Sequence, residues 1–254
     1  IFFASMRRTI MTKIAIIIPS RLDAQRLPNK PLKLIKDKEM ILHVLDLAIN
    51  ANEGDVIVAT PDQKIINVVK NHGGRVEMTS NEHKTGTDRI YEVITKNFDK
   101  NLDVIVNLQG DMPNLNSSAI KKLIEHMKKN SCDIATLASK IEKKEELKNP
   151  NICKVITNKL IKENEFASAL DFNRILDSSV NKNIYHHIGI YAFTNKALIK
   201  YVSLKRSKLE IDRKLEQMRA LENNMKIDVG YINSCPLSID TEEDLYNIKK
   251  LMEN

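Results

Sequence analysis

The chain has 254 residues, 42% hydrophobic and 29% charged, a balance that supports one large, well-buried domain and excludes a disordered tail or a collagen-like fibre. Lys and Arg outnumber Asp and Glu by 40 to 33, a net charge of +7, which favours an anionic partner: nucleic acid, a membrane surface and a phosphorylated metabolite all qualify. With 7 glycines in the whole chain, a phosphate-holding loop has to rely on side-chain cations rather than on a glycine-rich backbone cradle.

Residues Ile1 to Ile10 read as a leader or an appended remnant, with Met6 or Met11 as a natural start. Their apolar opening before Arg7 is too short for a signal-peptide core. No run approaches the roughly 20 apolar residues of a membrane span, so no membrane insertion is expected. Cys132, Cys153 and Cys235 match neither a paired framework nor zinc-ligand spacing along the chain, which places the protein in a reducing cytoplasm.

In chain order, Ile14 to Ile18, Val56 to Ala59, Val104 to Leu108 and Ile134 to Leu137 are continuous apolar runs of the fully buried strand type. Amphipathic segments alternate with them. Ile41, Val44, Leu45, Ala48 and Ile49 share one helical face, and Ile120, Leu123, Ile124 and Met127 another, opened by Asn116 as N-cap. This rhythm predicts an α/β fold with a doubly wound, mostly parallel sheet. Beyond about residue 140 it changes: Lys154 to Ile156 and Leu160 to Phe166 read as a hairpin and His187 to Phe193 as a strand, followed by a helix-rich stretch. A strand at Lys226 to Ile232 and a helix carrying Leu245, Ile248 and Met252, capped by Thr241 with Asp244, close the chain. The expected organisation is one domain over residues 11–254 with a smaller β-rich lobe inserted at about 150–225.

Ligands of open α/β sheets sit beyond the carboxyl ends of the strands. The loop leaving the first strand, from Pro19 and Ser20 to Pro31, places Arg21, Arg26 and Lys30 among three prolines, so its cations are held ready for a polyphosphate. It carries no Walker sequence; taken alone, a solvated basic loop explains it too. The third strand stops at Gln109-Gly110-Asp111, where Asp111 suits either a hard cation such as magnesium or a turn before Pro113. Asp240 follows another strand and comes near Asp111 if both strand ends share an edge; otherwise it supports the helix start. Thr79 to Arg89 is a polar loop leading into a helix, suited to a polar ligand or to ordinary capping. His187, Gly189 and Tyr191 share one face of a strand, while the adjacent His186 points away and makes no chelating pair. Leu215 to Arg219 reads as a surface helix turn.

In this order the segments Ile17 to Arg21, Arg26 to Leu32, Val58 to Thr60, Met78-Thr79, Thr85 to Arg89, Val106 to Asp111, His187 to Tyr191, Leu215 to Gln217 and Ile239 to Leu245 resemble the 3-deoxy-manno-octulosonate (Kdo) cytidylyltransferases. The similarity runs from Lys13 to Met252. It implies a nucleotide-diphospho-sugar transferase-like fold, a homodimer, and magnesium-dependent transfer of CMP from CTP to the anomeric hydroxyl of an acid sugar, releasing pyrophosphate, for lipopolysaccharide assembly. By position in the motifs, Arg21, Lys30, Asp111 and Asp240 carry catalysis, and Asp111 and Asp240 hold Mg2+. Pro19, Ser20, Arg21, Arg26, Lys30, Thr79, Thr85, Thr87, Asp88, Arg89 and Gln109 bind the nucleotide; His187, Tyr191, Glu216 and Gln217 face the sugar.

Four departures from the family pattern stand out: Asn29 replaces Gly, which Asn tolerates in a left-handed backbone, Pro61 replaces Asp, and Met112 replaces Glu. A Ser-Arg pair whose guanidinium helps hold the acid sugar falls at Ser168-Ala169, so that either Arg174 substitutes or the sugar differs from Kdo. Two other functions compete. A nucleic-acid-binding module fits the charge, yet aromatics are 5% and no stacking motif is present. An inactive homologue kept for binding fits Ala169 but leaves Asp111 and Asp240 without purpose.

Overall fold

The computed structural model describes residues 13–23, 26–98, 102–176 and 183–253; the expected leader lies outside them. Strand β1 (Ile14–Pro19) is buried along its whole length, as its unbroken apolar run requires of a central strand. It pairs in parallel with β4 (Asp55–Thr60) on one side and β6 (Val104–Asn107) on the other, and β4 pairs with β5 (Val76–Met78). Beyond β6 the order continues through β10 (Asn183–Thr194), β7 (Ile134–Ser139), β11 (Ile227–Tyr231), β9 (Phe166–Asn173) and β8 (Lys154–Thr157). The pairings leave β9 and β10 as the two strands running against the other seven, so the sheet is mostly parallel in direction. The amino-terminal part of β10 also pairs with β8, so β7, β11, β9, β8 and β10 close into a ring. A small separate ribbon is formed by β2 (Leu34–Ile35) and β3 (Lys38–Glu39).

Helices cover both faces. Ile14, Ile16 and Ile18 of β1 pack with α1 (Met40–Ala51), α2 (Gln63–Asn71) and α4 (Ser117–Lys129). Ala15 and Ile17 point the other way, to α3 (Gly86–Asn97), α5 (Asn195–Ser203) and α7 (Gln217–Glu222). The strand period of two thus divides one apolar run between two cores. A third, smaller core joins Leu27 and Ile35 to Leu245 and Ile248 of α8 (Glu242–Glu253). The short α6 (Lys208–Arg213) carries a Ser207/Glu210 capping box.

Several expected details hold. Asn116 caps α4 by accepting from Ser118 N–H. Thr241 and Asp244 satisfy each other's backbone N–H groups at 3.1 and 2.9 Å. Asn29 is left-handed, φ 57°, the conformation in which Asn replaces Gly at least cost. Others need correction. Ile41, Val44, Leu45 and Ala48 are buried as expected, but Ile49 is exposed, because the buried face of α1 continues to Ala51 rather than to Ile49. The hairpin's second strand begins at Phe166 rather than ending there: Leu160 lies in the exposed connection, and its apolar character gives no periodicity to tell loop from strand. Leu215 to Arg219 is a buried turn, because Arg219 is paired and stacked inside rather than solvated.

Candidate active site

Two cavities meet beyond the carboxyl ends of β1 and β6. The first, about 270 Å3, is walled by Pro19, Ser20, Arg21 and Lys30 on one side, Thr85, Gly86 and Arg89 at the start of α3, and Gln109 to Asp111 after β6. The second, about 260 Å3, shares Gln109 and Asp111 with it and extends past Arg174, His187, Tyr191, Glu216 and Gln217 to Asp240.

Their junction is held by Lys30. Its ammonium donates to Asp111 Oδ2 at 3.0 Å, to Asp240 Oδ1 at 3.1 Å and to the Ile239 carbonyl at 2.8 Å. Asp240 reaches this point because Ile239 N–H donates to the Asp111 carbonyl at 3.0 Å, fastening the segment before α8 to the loop after β6. Arg26 completes the cluster, 2.9 Å from Asp240 and 3.1 Å from Asn151 Oδ1. Burial opposes the charge of Lys30, but the two carboxylates outweigh it and raise its pKa above the ordinary lysine value. The geometry thus brings together Lys30, Arg26, Asp111 and Asp240, four groups spread over more than two hundred positions of sequence. Two carboxylate oxygens already converge on one cation, and an all-oxygen donor pair of this kind suits a hard divalent ion.

Arg21 lines the first cavity with its guanidinium largely in solvent, paired to Asp23 at 3.0 Å. Ser20 is buried in the same wall with a hydroxyl that has no protein partner, an arrangement that a bound polar ligand would satisfy. Arg89 is 3% exposed and donates to the neutral Thr79 Oγ1 and Ser80 carbonyl; burial, and then the charge of Arg21, hold its pKa below the usual arginine value. Thr85 caps α3 through Asp88 N–H. Gly86 lies where an added Cβ would come within 3.3 Å of the Pro19 ring and 3.4 Å of the Gln109 amide, so only glycine leaves this wall its present shape.

Thr87 and Asp88 do not reach the first cavity. A helix start turns successive side chains through about 100°, and these two face inward: Thr87 Oγ1 donates to Glu216 Oε2 at 3.0 Å, and Asp88 meets Arg219 at 3.3 Å. Arg219 in turn makes a doubly hydrogen-bonded ion pair with the buried Glu210, at 2.7 and 2.8 Å, and stacks over Tyr201. Sequence reasoning assigned Asn107 no role, yet it donates to Thr87 Oγ1 at 3.2 Å and accepts from Gln109 at 3.0 Å. A line of hydrogen bonds, Gln109–Asn107–Thr87–Glu216, therefore runs from one cavity to the other. The signal for Asn107 was a polar residue ending an apolar strand.

In the second cavity, burial and then the neighbouring charges of His186 and Arg174 hold the His187 imidazole at a pKa of about 3, so it is neutral at pH 7. Thr136 directs its one hydroxyl proton at the carbonyls of Ile190 and Ile188, 2.8 and 3.2 Å away. His187 Nε2, 2.9 Å from that hydroxyl, must therefore carry the ring proton and donate it to Thr136, which leaves Nδ1 as an acceptor. Burial raises the pKa of Glu216, a shift that the hydroxyl of Thr87 opposes. Arg174 lines this cavity, its Nη1 donating to the Pro150 carbonyl at 3.0 Å. Residue 169 does not: Ala169 packs against the apolar cluster behind β9. Met112 is buried in the apolar core and its edge lines this cavity beside Asp111.

The class that this cleft and fold define is matched directly: a cytidylyltransferase family model covers residues 15–227, and the chain belongs to that family. Among curated relatives it is 42% identical to the 3-deoxy-manno-octulosonate cytidylyltransferase of Bartonella bacilliformis, over 94% of this chain and 98% of that one. It is 43% identical to the enzyme of the same name from Rhodopseudomonas palustris, over 95% and 98%. The solved structure of a CMP:2-keto-3-deoxy-manno-octonic acid synthetase complexed with CTP superposes with a TM-score of 0.86 at 32% identity, covering 95% of this chain and 99% of that one. Among the described residues no helix is long and apolar enough to cross a membrane.

Proposed function

We propose that the enzyme transfers CMP from CTP to the anomeric hydroxyl of Kdo, with release of pyrophosphate, in lipopolysaccharide biosynthesis. The observation that carries this reading is the junction of two cavities at Asp111, Asp240 and Lys30, where a triphosphate entering one side meets a sugar entering the other. The hydroxyl oxygen attacks the α-phosphorus in line, losing its proton to solvent as the new P–O bond forms, while the bond to the leaving pyrophosphate breaks. Such a transfer is governed by positioning and charge neutralisation.

Arg21, Arg26 and Lys30 take the triphosphate. In the free enzyme Lys30 and Arg26 are balanced by Asp240 and Asp111; phosphate oxygens then replace the carboxylates as their partners. The two carboxylates released in this way are fitted to hold magnesium, which when bound neutralises charge on the phosphates. Ser20, Thr79, Thr85, Arg89 and Gln109 line the nucleotide side, and Thr87 and Asp88 act from beneath it. Arg174 takes the sugar carboxylate, which removes the need to invoke an altered sugar on account of Ala169. His187 Nδ1 accepts a sugar hydroxyl, and Tyr191, Glu216 and Gln217 complete that wall.

The second cavity draws its distinctive residues from the region at about 150–225, which we read as the inserted lobe. The family likeness supports reading the enzyme as a cytoplasmic homodimer; Leu170 and Ile175, 59% and 63% exposed, offer apolar surface for pairing to cover. Pyrophosphate release, measured with CTP, magnesium and a panel of acid sugars, tests the substrate: Kdo should give the highest kcat/KM. Release with another acid sugar but not with Kdo refutes the assignment.

A further inference from the structure

At the amino ends of β7 and β11, away from the cleft, His126, Cys132 and Asp228 bring an imidazole nitrogen, a sulfur and a carboxylate oxygen within 4.8 Å of one another. Each comes from a different element: His126 from the last turn of α4, Cys132 from the connection to β7, and Asp228 from β11, 102 positions beyond the histidine. Nε2 of His126 lies 2.9 Å from Asp228 Oδ2. Cys132 and Asp228 are 6% and 7% exposed. Phe166 stacks on the imidazole with ring centroids 3.6 Å apart and fixes its plane, and the side-chain amide of Asn130 sits 3.1 Å from Nδ1. A metal-ligating histidine donates its second N–H to an acceptor, which the Asn130 amide oxygen becomes once the amide, now donating through its nitrogen to Nδ1 and to the His126 carbonyl, turns over.

We propose that this cluster is a zinc site that staples α4 to the sheet, separate from the magnesium chemistry of the cleft. A mixed nitrogen, sulfur and oxygen donor set selects zinc over magnesium, which demands oxygen ligands. A thiolate, a carboxylate and a neutral imidazole cancel the charge of the ion, so its burial leaves no uncompensated charge. Tetrahedral zinc, with bonds of about 2.0–2.3 Å, sets its ligand atoms roughly 3–4 Å apart; the present spacing closes to this by small side-chain shifts. The three side chains leave the fourth position to a water molecule, while Ser168 donates to the other carboxylate oxygen, Asp228 Oδ1, at 3.5 Å. Lys226 Nζ, 3.7 Å from Asp228 on a half-exposed side chain, keeps its bond to the Ser131 carbonyl at 3.4 Å and turns from the carboxylate as the ion takes its place. Binding releases the Cys132 thiol proton to solvent, and the imidazole moves its proton from Nε2 to Nδ1, toward the oxygen of a reoriented Asn130 amide. Zinc uptake therefore strengthens as pH rises.

The test uses the full-length enzyme, stripped with a chelator, held in excess magnesium to occupy the all-oxygen cleft site, and titrated with cobalt(II). The expected result is a single equivalent with a near-ultraviolet thiolate-to-cobalt band and the visible bands of four-coordinate cobalt, bleached by added zinc. Cys132→Ser should abolish the thiolate band, His126→Gln should weaken cobalt binding by about tenfold or more, and a fixed zinc concentration should raise the melting temperature of wild type by more than that of either variant. No thiolate band in the wild-type enzyme overturns the proposal whether or not the variants fold. A band that survives in Cys132→Ser overturns it as well by assigning the thiolate elsewhere, and cobalt affinity unchanged in His126→Gln overturns it by removing the imidazole from the ligand set.

Discussion

Lys30 is held by two carboxylates, Asp111 and Asp240, and in the proposed reaction exchanges them for the triphosphate. Because its ammonium is largely buried between Asp111 and Asp240, Lys30→Ala leaves two carboxylates facing each other without their shared cation, and CTP without a phosphate partner. The CTP KM should rise by about tenfold or more, the scale of losing one charge-assisted hydrogen bond, while the Kdo KM changes little; steady-state kinetics with each substrate varied checks this. Arg174 and Ala169 make the complementary case. Arg174 stands in the wall of the second cavity and Ala169 packs behind β9. Arg174→Ala should therefore raise the Kdo KM and leave the CTP KM alone. Ala169→Arg should lower stability without changing sugar preference. A Kdo KM unmoved in Arg174→Ala would place the sugar carboxylate elsewhere. The sequence offered Arg174 as one of two answers to the missing guanidinium at Ala169 and could not choose, because which residue after β9 reaches the cavity is a fact of register, set by pairing with β8 and β11.

At the scale of elements, α3 shapes the first cavity through its amino-terminal half. Its amino end carries Thr85, Gly86 and Arg89 into the first cavity, and Glu92, one turn on, anchors the loop before it. Glu92 accepts from Ser80 N–H at 2.9 Å, from Lys96 at 2.5 Å and from His83. Burial works against its charge, but these donors prevail and hold its pKa at about 2, below the usual 4.5. A carboxyl whose folded pKa is depressed contributes stability that is complete above pH 4.5 and is lost as pH falls from there toward 2. Glu92→Gln should thus cost roughly 1–3 kcal/mol at neutral pH and flatten stability against pH in that acid window, as urea unfolding at several pH values would show. Equal slopes in wild type and variant would mean that the donors do not stabilise the charged form. The capping of α4 and α8, the buried strands and their apolar faces were legible because each is a local pattern of period or cap. The turn from Leu215 to Arg219 was not, since an Arg buried by pairing with Glu210 and stacking on Tyr201 carries the same letters as an exposed one.

Across the whole molecule, the cleft is assembled from chain segments that share no local signal. Lys30 follows β1, Asp111 follows β6 and Asp240 precedes α8; what unites them is strand order and the hydrogen bond from Ile239 to Asp111. Their individual residues could be read from sequence as a basic loop, a turn Asp and a helix cap, and only their order along the chain, shared with a family, pointed to one site. The meeting of Asp111 and Asp240 was a condition on topology, and the mostly parallel arrangement of β1, β6, β7 and β11 fulfils it. The central claim is that this meeting point is where CTP reacts. Pyrophosphate release at saturating CTP, Kdo and magnesium, compared among wild type, Asp111→Asn and Asp240→Asn, tests it most directly. The account predicts a fall in kcat of roughly two to three orders of magnitude in each variant, the scale of removing a preorganised charge-stabilising group, with the fold retained by circular dichroism. Near wild-type rates in either variant would contradict it.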